Sequence, residues 1–272
     1  MILSSMPLLN LVLVALIQGL TEFLPISSSG HLILLPGLTG MQDQGQMIDV
    51  AVHVGTLFAV ILYFHRDVVA VLAGLGRLVR GRMDTLGARV AAGLILATIP
   101  VMAAGLVLHV TGIDQMLRSV AVIGWTMLIF GIVLYWADQR GAQTRTIEDW
   151  RFRDALVMGV WQAVALIPGT SRSGITITSG RQLGYTREEA ARISMLMSIP
   201  TIMASGALLG LDLVEAGDWS GAHDAAIAAV MAFAAALLAL AVMMKLTRKI
   251  SFTPYVVYRV ILGVVLLVYA YA

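Results

Sequence analysis

Gln18 to His31 reads QGLTEFLPISSSGH, a polar cluster set inside an otherwise apolar run. Leu8 to Ile17 is apolar apart from Asn10, and Leu32 to Leu35 is apolar again before Pro36-Gly37. A carboxylate, three hydroxyls and an imidazole are therefore carried to membrane depth. Pro25 lacks a backbone donor and biases Leu24 away from helical geometry, so the chain breaks where the polar cluster lies. Neither flank has the roughly 20 apolar residues a crossing needs. The stretch predicts a re-entrant helix-break-helix over residues 8–35 that enters and leaves on the same side. Irregular backbone at that depth survives only when buried in protein or lining a watered cavity, and ionisable groups there point to function.

The surrounding composition agrees. Of 272 residues, 59% are hydrophobic and 12% charged, and the mean hydropathy is +0.88. This describes a polytopic all-α membrane protein. Without cysteine, neither a disulfide nor a thiolate metal site carries the fold or the chemistry. The N-terminus has no basic region before its apolar segment, so that segment is expected to stay in the mature protein. The pI near 9.1 suggests nucleic acid, but the basic residues sit in short connections between apolar segments. They report topology, and no nucleic-acid partner is expected.

Further along, a polar turn at Gln42–Gln46 precedes three expected spans, 47–64, 90–110 and 119–137. The connection 65–89 includes an amphipathic, interfacial piece, and Pro100 is an expected kink. After a hydrophilic connection, 138–154, a second odd unit at 155–180 contains WQAVALIPGTSRSGITIT from Trp161 to Thr178. It echoes the first. Gln18 and Gln162 each precede a proline, Pro25 or Pro168, and a hydroxyl-rich run ends at Gly30 or Gly174. Spans at 193–211, 225–244 and 254–270 complete the second repeat, 155–272, opposite the first, 1–137. Three spans per half is an odd number, so the halves are expected to be inverted repeats. With the first span entering from outside, the inside connections 65–89, 138–154, 181–192 and 245–249 collect 15 of the 18 Lys and Arg residues. Arg118 and the acidic loop with Asp212, Glu215 and Asp218 fall outside, while Arg172 and Arg259 lie within the membrane. By this orientation the two broken tips approach from opposite faces and meet near the midplane.

One tip supplies Glu22, Ser27, Ser28, Ser29 and His31; the other supplies Thr170, Ser171, Arg172 and Ser173 between Gly169 and Gly174. A buried arginine needs an anionic partner, and its planar fork suits phosphate. Ser171, Ser173 and the Gly174 amide at a new helix start can address the same anion, with Ser27 across from them. Glu22 can pair with Arg172, bind a divalent cation or act as a base. The plainer alternative is a Glu22–Arg172 ion pair that only ties the halves together, although such pairs stabilise weakly and leave the hydroxyls and imidazole unexplained. Gln18, one turn before Glu22, is a tentative second cation ligand or an interhelical hydrogen-bond donor. His31 lies three residues from Ser28 and four from Ser27, a spacing that permits base-activated attack by a hydroxyl. Serines at helix starts are also common caps, the competing reading for Ser27 and Ser29. Asp49 and His53 are expected to pack or to support the site, and His65 and His109 to be solvated at span ends.

EFLPISSSGH (Glu22 to His31) and PGTSRSGIT (Pro168 to Thr176) resemble the undecaprenyl pyrophosphate phosphatases, also called bacitracin resistance proteins. DVAVHVGT (Asp49 to Thr56) and ISFTPYVVYR (Ile250 to Arg259) extend the resemblance over essentially the whole chain. It implies a bacterial inner-membrane enzyme that converts undecaprenyl diphosphate to the monophosphate, recycling the lipid carrier of peptidoglycan synthesis. It also implies dependence on a divalent cation, Mg²⁺ or Ca²⁺. By position Glu22, Ser28, His31 and Arg172 match the family's functional residues. Gln18 departs from them, because many members have Glu there and hold more negative charge for the cation. Serine, histidine and water all remain open as the nucleophile. The phosphatidic-acid-type membrane phosphatases also use SGH and SR motifs but need a histidine six residues after the arginine, where this chain has Thr178. A transporter of an anionic polyprenyl lipid would share the architecture but needs no nucleophile. The charge pattern places the expected active site toward the outer side. Small residues at Ala103–Gly105 and Ala234–Ala236 suit packing within one chain or in a homodimer.

Overall fold

A computed structural model describes residues 7–40, 44–216, 219 and 221–272; Gln42 and Asp43 of the expected turn and Asp218 of the acidic loop lie outside these, while Gly45 and Gln46 of that turn already belong to the following helix. Among the described residues the chain is almost entirely helical, with one isolated bridge between Arg145 and Tyr185. The first unit comprises α1 (Leu8–Thr21) and α2 (Ser28–Thr39), followed by α3 (Gly45–Tyr63), α4 (His65–Leu78), α5 (Leu86–Thr111), the short α6 (Ile113–Met116) and α7 (Val120–Arg140). The second comprises α8 (Phe152–Val164) and α9 (Arg172–Gln182), then α10 (Arg187–Ala216), α11 (Ala222–Thr247) and α12 (Thr253–Tyr271). Six of these, α3, α5, α7, α10, α11 and α12, are long and apolar enough to cross a membrane, and the chain is a multi-pass membrane protein.

Local chemistry explains the boundaries. Thr85 and Ser119 cap α5 and α7 by accepting from the Ala88 and Val122 amides at 3.2 Å. The amphipathic piece after the first span is α4, with Val69 and Leu72 exposed beside the charged His65–Asp67 start. One expectation is corrected. Pro36 does not end the second arm of the first unit; it lies inside α2, which continues to Thr39 and stops at Gly40 with φ 70°. Gly40 supplies the left-handed terminus that Pro36 does not.

Packing crosses between the halves. The first arm α1 lies on α11, and α8 lies on α5, while α3 contacts both α10 and α11, and α7 contacts α12. Close approach depends on small residues. A Cβ on Gly19 would lie 2.6 Å from the Ala232 carbonyl and from Ala235, and a Cβ on Gly55 would lie 2.1 Å from the Ala229 carbonyl. Ala235 and Ala236 are thus buried within one chain. Gly55→Ala should force α3 away from α11. Its expected cost is about 1–3 kcal/mol, measured as a lower unfolding temperature in detergent.

The connection between the halves is pinned at its polar end. Arg145 pairs with Asp154, and the Tyr185 hydroxyl donates to the same carboxylate at 2.8 Å. Burial opposes the Asp154 charge, but these hydrogen bonds outweigh it and hold the carboxyl below its usual range. Arg181, completely buried, donates to Asp138 at 3.1 Å and to the Ala142 and Gly141 carbonyls at 2.9 Å. The main core reaches the broken segments themselves: Phe23 is fully buried in the same cluster as Ile177, Leu196, Leu240 and Val256.

Candidate active site

Both units break around a serine held in an unusual backbone conformation. Ser27 has φ 74° and Ser171 φ 70°, the only non-glycine residues with positive φ among those described. Such geometry costs energy and persists where surrounding structure imposes it. In each case the serine hydroxyl caps the following helix, accepting from Gly30 N at 3.3 Å or Gly174 N at 3.1 Å. Each also shares a hydrogen bond with the hydroxyl two residues on, Ser29 at 3.3 Å or Ser173 at 3.1 Å. The two breaks are alike in detail.

They also touch. Ser173 Oγ donates to the Leu24 carbonyl at 2.9 Å, and Thr126 of α7 donates to the Pro168 carbonyl at 2.6 Å. Arg259 of α12 is completely buried and braces both breaks through carbonyl oxygens: Pro25 at 3.3 Å, Gly169 at 3.1 Å and Thr170 at 2.8 Å. It also donates to the Met127 and Thr126 carbonyls of α7 at 3.3 and 3.4 Å. This answers the question left by a lone arginine in a span. A Cβ on Gly174 would meet the Arg259 guanidinium at 2.8 Å, so glycine there makes room for the brace.

At the junction, Glu22 is the hub. Its Oε1 accepts from Arg172 Nη2 at 2.6 Å, and its Oε2 accepts from Ser28 Oγ at 2.6 Å and Gln18 Nε2 at 3.0 Å. Glu22 and Gln18 are buried, while Ser28 and His31 are half-buried. Arg172 therefore reaches across 150 residues of sequence to pair with Glu22, as the plainer reading also requires. Two buried atoms go beyond a structural tie, because Arg172 Nη1 and Gln18 Oε1 have no hydrogen-bond partner among the described residues. An unmatched donor and an unmatched acceptor flanking one carboxylate leave capacity for an anion and a cation.

His31 is engaged elsewhere than the spacing suggested. Its Nδ1 lies 2.6 Å from the Ser27 carbonyl, which only accepts, so Nδ1 carries a proton. Its Nε2 lies 2.5 Å from the Tyr258 hydroxyl, and the two rings stack at 5.7 Å between centroids with 9° between planes. The Ser28 hydroxyl thus bonds to Glu22, and the imidazole is oriented by Ser27 and Tyr258. The remaining hydroxyls of the proposed phosphate set, Ser27, Ser171 and Ser173, are buried and bonded within the protein, as is the Gly174 amide. The Arg172 and Ser173 amides, first in α9, take no partner among the described residues. His53 Nδ1 donates to the Asp49 carbonyl, 2.7 Å away, within α3.

Comparison with known proteins gives one consistent result. The family described as bacitracin resistance protein BacA matches residues 11–265. The undecaprenyl-diphosphatase of Dinoroseobacter shibae is 68% identical, over 98% of this chain and 100% of that protein. That of Ruegeria pomeroyi is 66% identical over the same shares. Undecaprenyl-diphosphatase 1 of Rhodospirillum rubrum is 48% identical over 98% of this chain and 96% of its own length.

Proposed function

The chain belongs to the bacitracin resistance protein BacA family, and we infer that it is a membrane hydrolase that cleaves undecaprenyl diphosphate to undecaprenyl phosphate and inorganic phosphate. Recycling of the carrier lipid for peptidoglycan synthesis and resistance to bacitracin follow from that activity. The observation that carries the catalytic reading is the Glu22 carboxylate, bonded at once to a hydroxyl and to an arginine that still has a free donor. A flippase would need the arginine and the polar lining but no hydroxyl held against a base.

In this reading the polyprenyl tail stays among the helices, and the terminal phosphate meets Arg172 Nη1 and the Arg172 and Ser173 amides. Ser28 Oγ attacks the terminal phosphorus while Glu22 takes its proton. The bond from that phosphorus to the bridging oxygen breaks, and Glu22 passes the proton to the departing monophosphate. Water then attacks the phosphoserine with Glu22 as base, the proton returns to Ser28, and inorganic phosphate leaves. Phosphoryl transfer asks the protein mainly for positioning and charge stabilisation, which Arg172 and the helix-start amides supply. His31, held as the Nδ1-protonated tautomer, accepts from Tyr258 and orders the face of the site beside Ser28.

The donor set also suits a divalent cation. No group of three His, Asp or Glu residues that could hold one occurs among the described residues, so Glu22 and Gln18 Oε1 would share it with the substrate's own diphosphate oxygens. Its chemistry there is neutralisation of diphosphate charge. Charge bias places the site toward the outer face of a bacterial inner membrane, with the matching breaks at Ser27 and Ser171 supporting an inverted pair of repeats.

The test is phosphate release from undecaprenyl diphosphate by purified protein, with and without chelator. Release that stops on chelation and returns with Mg²⁺ or Ca²⁺ is expected; none from folded protein would sink the reading. Tyr258→Phe keeps the stacked ring but removes the hydroxyl from His31. It should lower kcat by about 2- to 12-fold, the range of one net hydrogen bond, with KM little changed; unaltered kcat would remove Tyr258 from the mechanism.

A further inference from the structure

The second unit carries a pocket that catalysis does not use. It lies at the polar end of α8, has a volume of about 670 Å³, and is lined by Arg145, Asp149, Arg151, Arg153, Asp154 and Val157 together with the α9 terminus. The charges in it are not equivalent. Arg145 and Asp154 neutralise each other, and Asp149 accepts from the Thr146 amide at 3.0 Å. Arg151 and Arg153 are exposed and have no carboxylate partner among the described residues. The lining therefore sets three guanidinium groups against two carboxylates, a net positive charge, with Arg151 and Arg153 the two cations that no ion pair among the described residues holds.

The pocket opens onto an apolar surface. Arg153, Leu156, Val157 and Val160 follow one another at helical spacing along one face of α8. Leu156 and Val160 are 46% and 54% exposed, as expected for side chains that meet lipid tails. Val157 belongs to both the pocket wall and this stripe. A ligand that fits both parts has a phosphate at one end and hydrocarbon at the other; a soluble phosphate would use only the first. Basic pockets beside membrane helices on the positively charged face recognise such headgroups.

We propose that the pocket bounded by Arg151 and Arg153 binds the phosphate headgroup of an anionic membrane lipid, whose chains run along Leu156 and Val160 of α8. The site is separate from Glu22 and Arg172 and does not depend on the reaction assigned to them. Two sources share this chemistry, a bilayer phospholipid and a polyprenyl monophosphate.

The test uses full-length protein purified in neutral detergent and offered equal amounts of phosphatidylglycerol and phosphatidylcholine, with retained lipid counted by native mass spectrometry. Wild type should keep phosphatidylglycerol preferentially. Arg151→Gln/Arg153→Gln should weaken that preference by about 30-fold, each arginine near an anionic lipid contributing about fivefold. Arg151→Lys/Arg153→Lys should retain most of it, and Arg153→Gln alone should show an intermediate loss. Phosphate release in detergent without added phospholipid should be unchanged in the double glutamine variant, which also certifies its fold. Competition with undecaprenyl phosphate identifies the source: displacement at equal concentration assigns the site to the polyprenyl lipid, and persistence assigns it to phospholipid. Equal retention of the two phospholipids by wild type overturns the proposal, as does a preference that survives the double glutamine substitution.

Discussion

Arg172→Ala should lower kcat/KM for undecaprenyl diphosphate by about 10³- to 10⁵-fold, the range for an arginine that stabilises charge on a transferring phosphoryl group. The argument rests on the division of its guanidinium. Nη2 is fixed 2.6 Å from Glu22, while buried Nη1 has no partner among the described residues and is free for the substrate. The plainer reading, a tie between the halves, predicts something different. Removing one member of a buried pair costs about 3–5 kcal/mol because the other charge is stranded, so a tie alone would lower stability and activity together. Arg172→Lys separates the two. It keeps a charge near Glu22, and hence much of the stability, but a single ammonium cannot serve Glu22 and phosphate with a planar fork. Activity at least 100-fold down, at an unfolding temperature close to wild type, is the expected result. Parallel recovery of both by lysine would reduce Arg172 to a structural role.

The fold was largely readable because the membrane makes sequence explicit. A proline followed by hydroxyls and charge inside an apolar run has no lipid-compatible conformation except a buried break, and both breaks lie where Pro25 and Pro168 announce them. The spans are apolar over one membrane thickness, so most of their ends differ from expectation by a few residues, as in Gly45–Tyr63 against 47–64. Arg187–Ala216, by contrast, runs six and five residues past the span expected at 193–211 and takes in part of the expected charged connection. Pro36 misled because a proline in the interior of a helix removes one bond without ending the helix when packing holds both sides. The meeting of Glu22 with Arg172 was also legible, since two opposite charges in apolar surroundings must find each other.

What the chain did not disclose depends on directions that spacing cannot carry. Ser28 and His31 stand three residues apart and so could have met, but the positive φ of Ser27 turns the start of α2. Its carbonyl takes His31 Nδ1, and Ser28 is left facing Glu22. Tyr258 reaches His31 from 227 residues away, and nothing in a tyrosine next to a membrane arginine signals that contact. Arg259 was conspicuous as a charge, yet its acceptors are main-chain carbonyls of three segments, and carbonyls leave no mark in sequence. The matching Ser-x-Ser-Gly pattern in both units signals the repeat, but not which of its hydroxyls turn inward. Its common caps, Ser27 on Gly30 and Ser171 on Gly174, explain why some hydroxyls in each run hold the break open rather than face a ligand.

Ser28→Ala is the second large effect, and it decides the nucleophile. If Ser28 Oγ forms the bond to phosphorus, alanine should reduce kcat by at least about 10³-fold, since Glu22 is left with no hydroxyl to activate. If Glu22 activates water directly, alanine removes only one hydrogen bond from the carboxylate, and the loss should stay near tenfold or less. Histidine as nucleophile makes a third pattern: Ser28→Ala tolerated, His31→Ala inactive, and Tyr258→Phe faster because Nε2 is released from its partner. The 2.6 Å contact between Ser28 and Glu22, against an imidazole whose two nitrogens are both occupied, favours the first. Acid quenching of wild type during turnover of substrate labelled in its terminal phosphate should then leave label on the protein, stable to acid as a phosphoserine is and a phosphohistidine is not. Label that is absent, together with a Ser28→Ala enzyme close to wild type, would transfer the attack to water and leave Glu22 as its base.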